Sequence, residues 1–223
     1  AFGHVSIRHP DRPDCFLLAR SRSPELVTRD DLLEFGPDGE PVKDNVPPVY
    51  SERFIHASIF AARPDVHSVI HTHAEPLLPF GITDTPLKAV HHLGSRVGQT
   101  VPLWDIRDKF GDATNLLVTN MDHANDLAAS LGGNRVVLMR GHGNAVATES
   151  LENAVQTAIY TMINARVQTM SMLMALAQGK GPEAVNGLSD GEIAAAQGGG
   201  KKGTLGGNRS WEYFERRADT TGV

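Results

Sequence analysis

The feature that most constrains this chain is an apolar run ending in two histidines, Val-His-Ser-Val-Ile-His-Thr-His at 66–73. The run before His71 predicts a β-strand. Alternate residues of a strand face the same side, so His71 and His73 are expected to point the same way. Two imidazoles side by side on a rigid element supply half of a transition-metal site. The alternative is a pair of half-buried strand residues without a ligand.

Composition limits the classes of protein to which the chain can belong. With 223 residues, 40% hydrophobic and 21% charged, it resembles an ordinary globular protein, and we expect one domain over 1–223. The net charge of −5 and the lack of a basic stripe argue against a nucleic-acid partner. No apolar run approaches the roughly 20 residues of a membrane span, so no membrane association is expected.

The single cysteine and the first residue add two expectations. Cys15 cannot form an intrachain disulfide, which indicates a reducing compartment, and we expect a cytoplasmic protein with this side chain buried. The chain starts at Ala1 without a methionine and enters a strand-like segment at once. We therefore expect that an N-terminal helical part precedes it.

Hydrophobic periodicity predicts an antiparallel β region followed by mixed α and β structure. Strands are predicted at 3–8, 15–19, 32–35, 40–42, 66–73, 88–92, 101–106, 136–139 and 145–147. Helices are predicted at 52–62, 120–131 and 148–177, with a first turn in the last that contains Glu149 and Glu152. Ser189 and Glu192 form the pattern of a capping box. The Gly-rich segment 197–207 predicts a flexible linker to a C-terminal helix at 208–217.

Two further residues complete a catalytic constellation with the histidine pair. His142 lies between two glycines after a buried strand, where the backbone can approach a ligand closely, although a plain turn histidine is the alternative. Glu52 lies in the first turn of the helix before the histidine strand, where an acidic residue is otherwise explained by the helix dipole. Three neutral imidazoles leave a divalent ion with its charge and an open position, and a nearby carboxylate then serves as acid or base.

These residues occur in segments that resemble the class II aldolase/adducin family, which includes fuculose-phosphate aldolase and ribulose-phosphate 4-epimerase. The segments are Ser-Glu-Arg-Phe-Ile-His at 51–56, Arg-Pro-Asp-Val at 63–66, His-Thr-His at 71–73 and Arg-Gly-His-Gly at 140–143. The resemblance implies that His71, His73 and His142 are metal ligands. It also implies that Glu52 is the catalytic acid/base. It further implies an α/β/α sandwich with a mainly antiparallel central sheet, and a homotetramer with active sites near subunit boundaries.

The chain departs from the sugar-phosphate members where they hold phosphate. Their Gly-Asn, Thr-Gly and Ser-Ser segments become Gly-His at 3–4, Arg-Ser-Arg-Ser at 20–23 and Tyr-Ser at 50–51. Arg and His donors suit a planar carboxylate, and Tyr50 and His4 are able to flank a flat ring. Solvated arginines and a cross-sheet hydrogen bond of His4 are the alternatives. The predicted substrate contacts are His4, Arg20, Ser21, Arg22, Ser23, Tyr50, Ser51 and, as secondary candidates, His91 and His92.

These departures resemble the decarboxylase branch of the family, which includes the 3-hydroxy-2-methylpyridine-4,5-dicarboxylate and dihydroxyphthalate decarboxylases. The first hypothesis is therefore a metal-dependent, non-oxidative decarboxylase of a hydroxylated aromatic or pyridine dicarboxylate. A metal-dependent aldolase acting on a non-phosphorylated substrate and an adducin-like interaction module are the second and third. The expected cofactor is one divalent transition metal, Zn²⁺ or Mn²⁺, with Fe²⁺ and Co²⁺ as further candidates.

Overall fold

The computed structural model describes residues 2–198 and 205–220. Within them, seven strands form one sheet in the order β3-β2-β1-β4-β7-β6-β5. Every neighbouring pair is antiparallel except β5 and β6. The strands are β1 (His4–Arg8), β2 (Phe16–Ala19), β3 (Leu32–Phe35), β4 (Ser68–Thr72), β5 (Leu103–Trp104), β6 (Val136–Met139) and β7 (Gly143–Thr148).

Seven α-helices lie in the described ranges and cover both faces of the sheet. They are α1 (Arg53–Ala62), α2 (Leu78–Ile82), α3 (Arg107–Phe110), α4 (Met121–Leu131), α5 (Leu151–Ala177), α6 (Asp190–Gly198) and α7 (Leu205–Thr220). None of the described helices is both long enough and apolar enough to cross a membrane.

Alternation along the central strands builds two cores. On β7, Ala145 and Ala147 pack into a core with α1 and α4, whereas Val146 packs with Ala154 of α5 on the other face. On β4, Val69 belongs to the first core and Ile70 to the second. Strands buried on both faces lie between layers of helices, which confirms the predicted α/β/α sandwich with a mainly antiparallel sheet.

Side-chain caps set the start of the long helices. The Asn120 side chain accepts a hydrogen bond from the backbone of His123 at 2.9 Å, and Ser150 does the same for Asn153 at 3.2 Å. The prediction that α5 begins at Thr148 was wrong, because Thr148 is still part of β7. Glu149 therefore precedes the cap instead of lying in the first turn. The capping box of Ser189 and Glu192 is confirmed by reciprocal hydrogen bonds of 2.8 and 3.3 Å.

The strand predicted at 88–92 was also wrong. Lys88 donates its backbone N–H to the side-chain amide of Gln168, and Val90 does so to Asn164, each at 2.9 Å. Asn164 returns a bond to the carbonyl of Lys88 at 2.7 Å. Side chains of α5 therefore satisfy the backbone groups that a neighbouring strand would otherwise pair.

Three other predicted segments are shorter or different. The strand at 40–42 is reduced to one isolated bridge at Pro41, and the strand at 101–106 to β5. The predicted linker at 197–207 was wrong at both ends, where α6 reaches Gly198 and α7 begins at Leu205. Its middle, 199–204, lies outside the described residues.

Candidate metal centre and substrate cavity

The three histidines converge because β4 and β7 are adjacent in the sheet. His71 lies on β4 opposite Ala145, and His73 follows the end of that strand. His142 lies in the turn between β6 and β7. Gly143 allows this turn to approach, since a Cβ at this position would overlap the carbonyl oxygen of Thr72.

The facing imidazole nitrogens form a tight cluster. The Nε2 atom of His73 lies 2.9 Å from Nε2 of His71 and 3.0 Å from Nε2 of His142. The Oε2 atom of Glu52 lies 3.5 Å from Nε2 of His71 and 3.4 Å from Nε2 of His142. One ligand atom from each of the four residues falls within 4.8 Å of the others. The structure therefore brings together all four predicted metal-site and acid/base residues.

The protonation of the His71 nitrogens leaves this cluster suited to bind a cation. The Nδ1 atom of His71 lies 3.1 Å from the carbonyl oxygen of Asn144, and only a protonated Nδ1 can donate to it. In the neutral ring, the Nε2 atom of His71 is then unprotonated, and its lone pair faces a second imidazole and a carboxylate. Clustered lone pairs repel one another until a cation or a proton lies between them, so the donor set suits a divalent transition metal.

Glu52 is not the exposed first-turn carboxylate of the alternative interpretation. It is the N-cap residue of α1, and only 6% of its surface is exposed. Its Oε1 atom accepts the backbone N–H of Val118 at 3.0 Å, which directs Oε2 towards the histidines. Burial alone would raise the pKa of this carboxyl group. Hydrogen bonds and charge from His142 and His71 lower the pKa by more than burial raises it, so the net shift is downward.

A cavity of about 520 Å³ opens beside the cluster. Six of the predicted substrate contacts line it, together with Glu52, His71 and His73. These six are His4, Ser21, Arg22, Ser23, Tyr50 and Ser51. The rings of His4 and Tyr50 lie 4.5 Å apart between centroids, at an interplanar angle of 38°. An aromatic wall therefore stands next to the candidate metal ligands.

The two arginines of the 20–23 loop share one buried carboxylate. Asp31 accepts from Nε of Arg20 at 2.5 Å and from the guanidinium of Arg22 at 2.8 Å. The pKa of Asp31 is lowered, chiefly by the hydrogen bond from Arg20 and next by that from the backbone N–H of Thr28. The Tyr50 hydroxyl donates to the carbonyl of Arg22. Arg22 lines the cavity, whereas Arg20 is not among the lining residues and acts through this ion pair instead.

The structure does not bring the secondary candidates to the cavity. His91 and His92 lie at the start of the 3₁₀ segment His92–Val97, and neither is a lining residue of the described cavity. Burial, then the neighbouring His92, lowers the pKa of His91.

Sequence reasoning missed a buried pair behind the cavity, His56 and Ser6. Nε2 of His56 lies 2.7 Å from Nδ1 of His4, and Nδ1 of His56 lies 2.5 Å from Oγ of Ser6. His56 is fully buried, and burial followed by charge on His71 lowers its pKa to about 3. The available signals were the spacing of Glu52 and His56 by one helical turn, and of His4 and Ser6 by two residues on one strand face.

The chain is similar in sequence to one family profile and to two decarboxylases. The profile of the Class II Aldolase and Adducin N-terminal domain matches residues 1–169. Decarboxylase tropJ of Talaromyces stipitatus is 36% identical over 238 residues, covering 100% of this chain and 88% of that protein. The 3,4-dihydroxyphthalate decarboxylase of Arthrobacter keyseri is 30% identical, over 70% of this chain and 64% of that protein.

A solved structure gives the same result for the fold. The aldolase II superfamily protein from Pseudomonas syringae has a TM-score of 0.76 at 21% identity. The match covers 99% of this chain and 84% of that one. The two chains therefore share one architecture.

Proposed function

Because this chain belongs to the class II aldolase and adducin family and is a carbon–carbon lyase, we propose that it is a metal-dependent, non-oxidative decarboxylase of a hydroxylated aromatic or pyridine dicarboxylate. The observation that carries this proposal is the cavity wall. Beside the Glu52 and histidine cluster it presents the larger side chains of Arg22, His4 and Tyr50 among smaller residues. The similarity to two decarboxylases supports the same reaction class.

His71, His73 and His142 would hold the divalent ion, which supplies Lewis-acid stabilisation of negative charge on substrate oxygens. The chain fixes the orientation of one of these ligands before substrate arrives. His71 is oriented by the Asn144 carbonyl, and Asn144 is in turn bonded through its side chain to Thr72 at 2.7 Å. Such outer contacts hold the His71 ring in one orientation.

Substrate binding is assigned to the other side of the cavity. The Arg22 guanidinium would pair with a substrate carboxylate, since its planar donors match two carboxylate oxygens. Asp31 holds that guanidinium in place. The tilted rings of His4 and Tyr50 would pack against a flat ring and exclude water from it. Ser21, Ser23 and Ser51 also line the cavity and would supply hydroxyl groups to the substrate.

Glu52 would supply the proton. As the bond between the ring and the carboxylate breaks, carbon dioxide leaves and the electron pair stays on the ring carbon. The Glu52 carboxyl group then donates its proton to that carbon, which forms the new C–H bond. The resulting Glu52 carboxylate regains a proton from water. The pKa of Glu52 is lowered in the free protein, so its protonation requires a second anion beside it. The carboxylates of the substrate would provide that anion.

The test is carbon dioxide release from a panel of hydroxylated aromatic and pyridine dicarboxylates, before chelation, after chelation and after metal return. We expect release that chelation abolishes and the metal restores. Glu52→Gln should lower kcat by roughly 10²- to 10⁴-fold with an unchanged metal content. The exposed Glu183→Gln serves as a matched control and should keep wild-type turnover.

Two results would count against this proposal. Release of an aldehyde from non-phosphorylated hydroxy compounds, with no carbon dioxide from any panel member, would favour the aldolase reaction. Near-normal turnover of Glu52→Gln would remove this residue from proton transfer.

We further propose that the chain forms a homo-oligomer, with a tetramer favoured. The last turns of α5 support this, because they expose apolar side chains to solvent. Met170 is 59% exposed, Met174 is 63% and Leu176 is 69%. Light scattering coupled to size exclusion measures the mass directly, and a 24.0 kDa species would refute the assembly. A cytoplasmic location stays a prediction from the single cysteine.

A further inference from the structure

A hydrogen-bonded chain runs from the protein interior to the cavity. It begins at the Ser6 hydroxyl, passes through both nitrogens of His56 and ends at Nδ1 of His4. Ser6 is 1% exposed and His56 is fully buried. The His4 ring lines the cavity, and its Nε2 atom has no hydrogen-bond partner among residues 2–198 and 205–220. The mechanism proposed above gives His56 and Ser6 no role.

The buried Ser6 end determines the direction of donation along this series of hydrogen bonds. If Ser6 donates to Nδ1 of His56, then Nε2 of His56 carries a proton and donates to Nδ1 of His4. Nε2 of His4 is then protonated, on a ring that lines the cavity. In the opposite direction, the Ser6 hydroxyl hydrogen would be buried, and this hydroxyl makes no other hydrogen bond among residues 2–198 and 205–220. A buried donor without an acceptor is costly, so the first direction is favoured.

We propose that Ser6 and His56 hold His4 in the tautomer with its proton on Nε2, so that His4 donates a hydrogen bond to a carboxylate oxygen of the substrate. His56 and Ser6 are positioning residues, and His4 is the contact. The identity of the acceptor as a substrate carboxylate rests on the proposed function, whereas the tautomer does not. The consequence is selectivity, because this wall of the cavity accepts a hydrogen-bond acceptor and rejects a group that can only donate.

The tautomer is measured directly by ring ¹⁵N NMR of the zinc-loaded protein, with His4 assigned by comparison with His4→Gln. We expect a protonated Nε2 and an unprotonated Nδ1 at His4. Ser6→Ala should remove this preference, and Ser6→Thr should restore it because the hydroxyl group returns. Ser68→Ala is the matched control, since it deletes another buried hydroxyl of the same strand pair that bonds the Ser6 carbonyl at 2.9 Å. It should leave the His4 spectrum unchanged.

Binding of phthalate, a dicarboxylate that lacks the hydroxyl group, tests the contact. His4→Phe should weaken phthalate binding by roughly 10- to 100-fold, the range for a hydrogen bond to a charged group. Ser6→Ala should weaken it in the same direction, and Ser68→Ala should not.

The outcomes separate the two proposals. A proton on Nδ1 of His4 in the wild-type protein, or an unchanged tautomer in Ser6→Ala, overturns this inference whatever the enzyme decarboxylates. Absence of phthalate binding together with absence of carbon dioxide release overturns the proposed function and the carboxylate contact, even where the tautomer is as expected. Equal phthalate affinity of the wild-type and His4→Phe proteins overturns the contact alone.

Discussion

Acid should destabilise the folded protein through His56, and the size of this effect follows from its burial. The side chain is fully buried on α1, and its pKa falls from 6.5 to about 3 on folding, chiefly through desolvation and then through charge on His71. The unfolded chain therefore takes up this proton first as the pH falls. The stability that neutral His56 allows is complete above pH 6.5 and is lost progressively towards pH 3.

The magnitude is large for one residue. Integrating the difference in bound protons between about pH 7.5 and pH 5 gives a loss of about 2 kcal/mol in the free energy of unfolding. That is a substantial part of the roughly 5–15 kcal/mol by which a domain is stable.

The assay is urea unfolding of the chelator-treated protein at the two pH values, for the wild type and His56→Gln. The loss on acidification should be smaller in His56→Gln by about 2 kcal/mol, whatever its absolute stability. His67→Gln replaces an exposed histidine and should keep the wild-type pH dependence. The same pH dependence in the wild type and His56→Gln would refute the reasoning. Ring ¹⁵N NMR of the wild type is a second readout, since a His56 ring protonated at pH 6 would refute it as well.

Two further substitutions test the supports of the site. Gly143→Ala would place a methyl group on the carbonyl of Thr72, so we expect weaker metal binding and a lower melting temperature, whereas Gly133→Ala has open space and should change neither. Calorimetry with a divalent metal titration measures both, and a wild-type result for Gly143→Ala would exclude the close approach. Asp31→Asn should raise KM more than it changes kcat, because Arg22 loses its anchor but takes no part in proton transfer. Steady-state kinetics distinguish this from an equal loss in kcat, which would place Asp31 closer to the chemistry.

The sequence alone determined the features that depend on local pattern. Alternation along 66–73 placed His71 and His73 on one side of a strand, and the glycines around His142 marked a tight turn. The strand and the turn follow from the chain's own repeat distances, so neighbouring residues are sufficient to reveal them. The resemblance to a known family implied the sandwich and the roles of the four residues of the candidate metal centre.

Only the tertiary structure decided which partners those residues have. Arg20 and Arg22 appeared equivalent in sequence and Asp31 binds both guanidinium groups, yet only Arg22 lines the described cavity. The segment predicted as a strand at 88–92 is held instead by side chains that lie far along α5. His56 reaches His4 across 52 residues of sequence, where no local pattern records the contact. Hydrogen-bond direction and burial depend on the packing of distant elements, so the role of this buried pair became visible only in the folded chain.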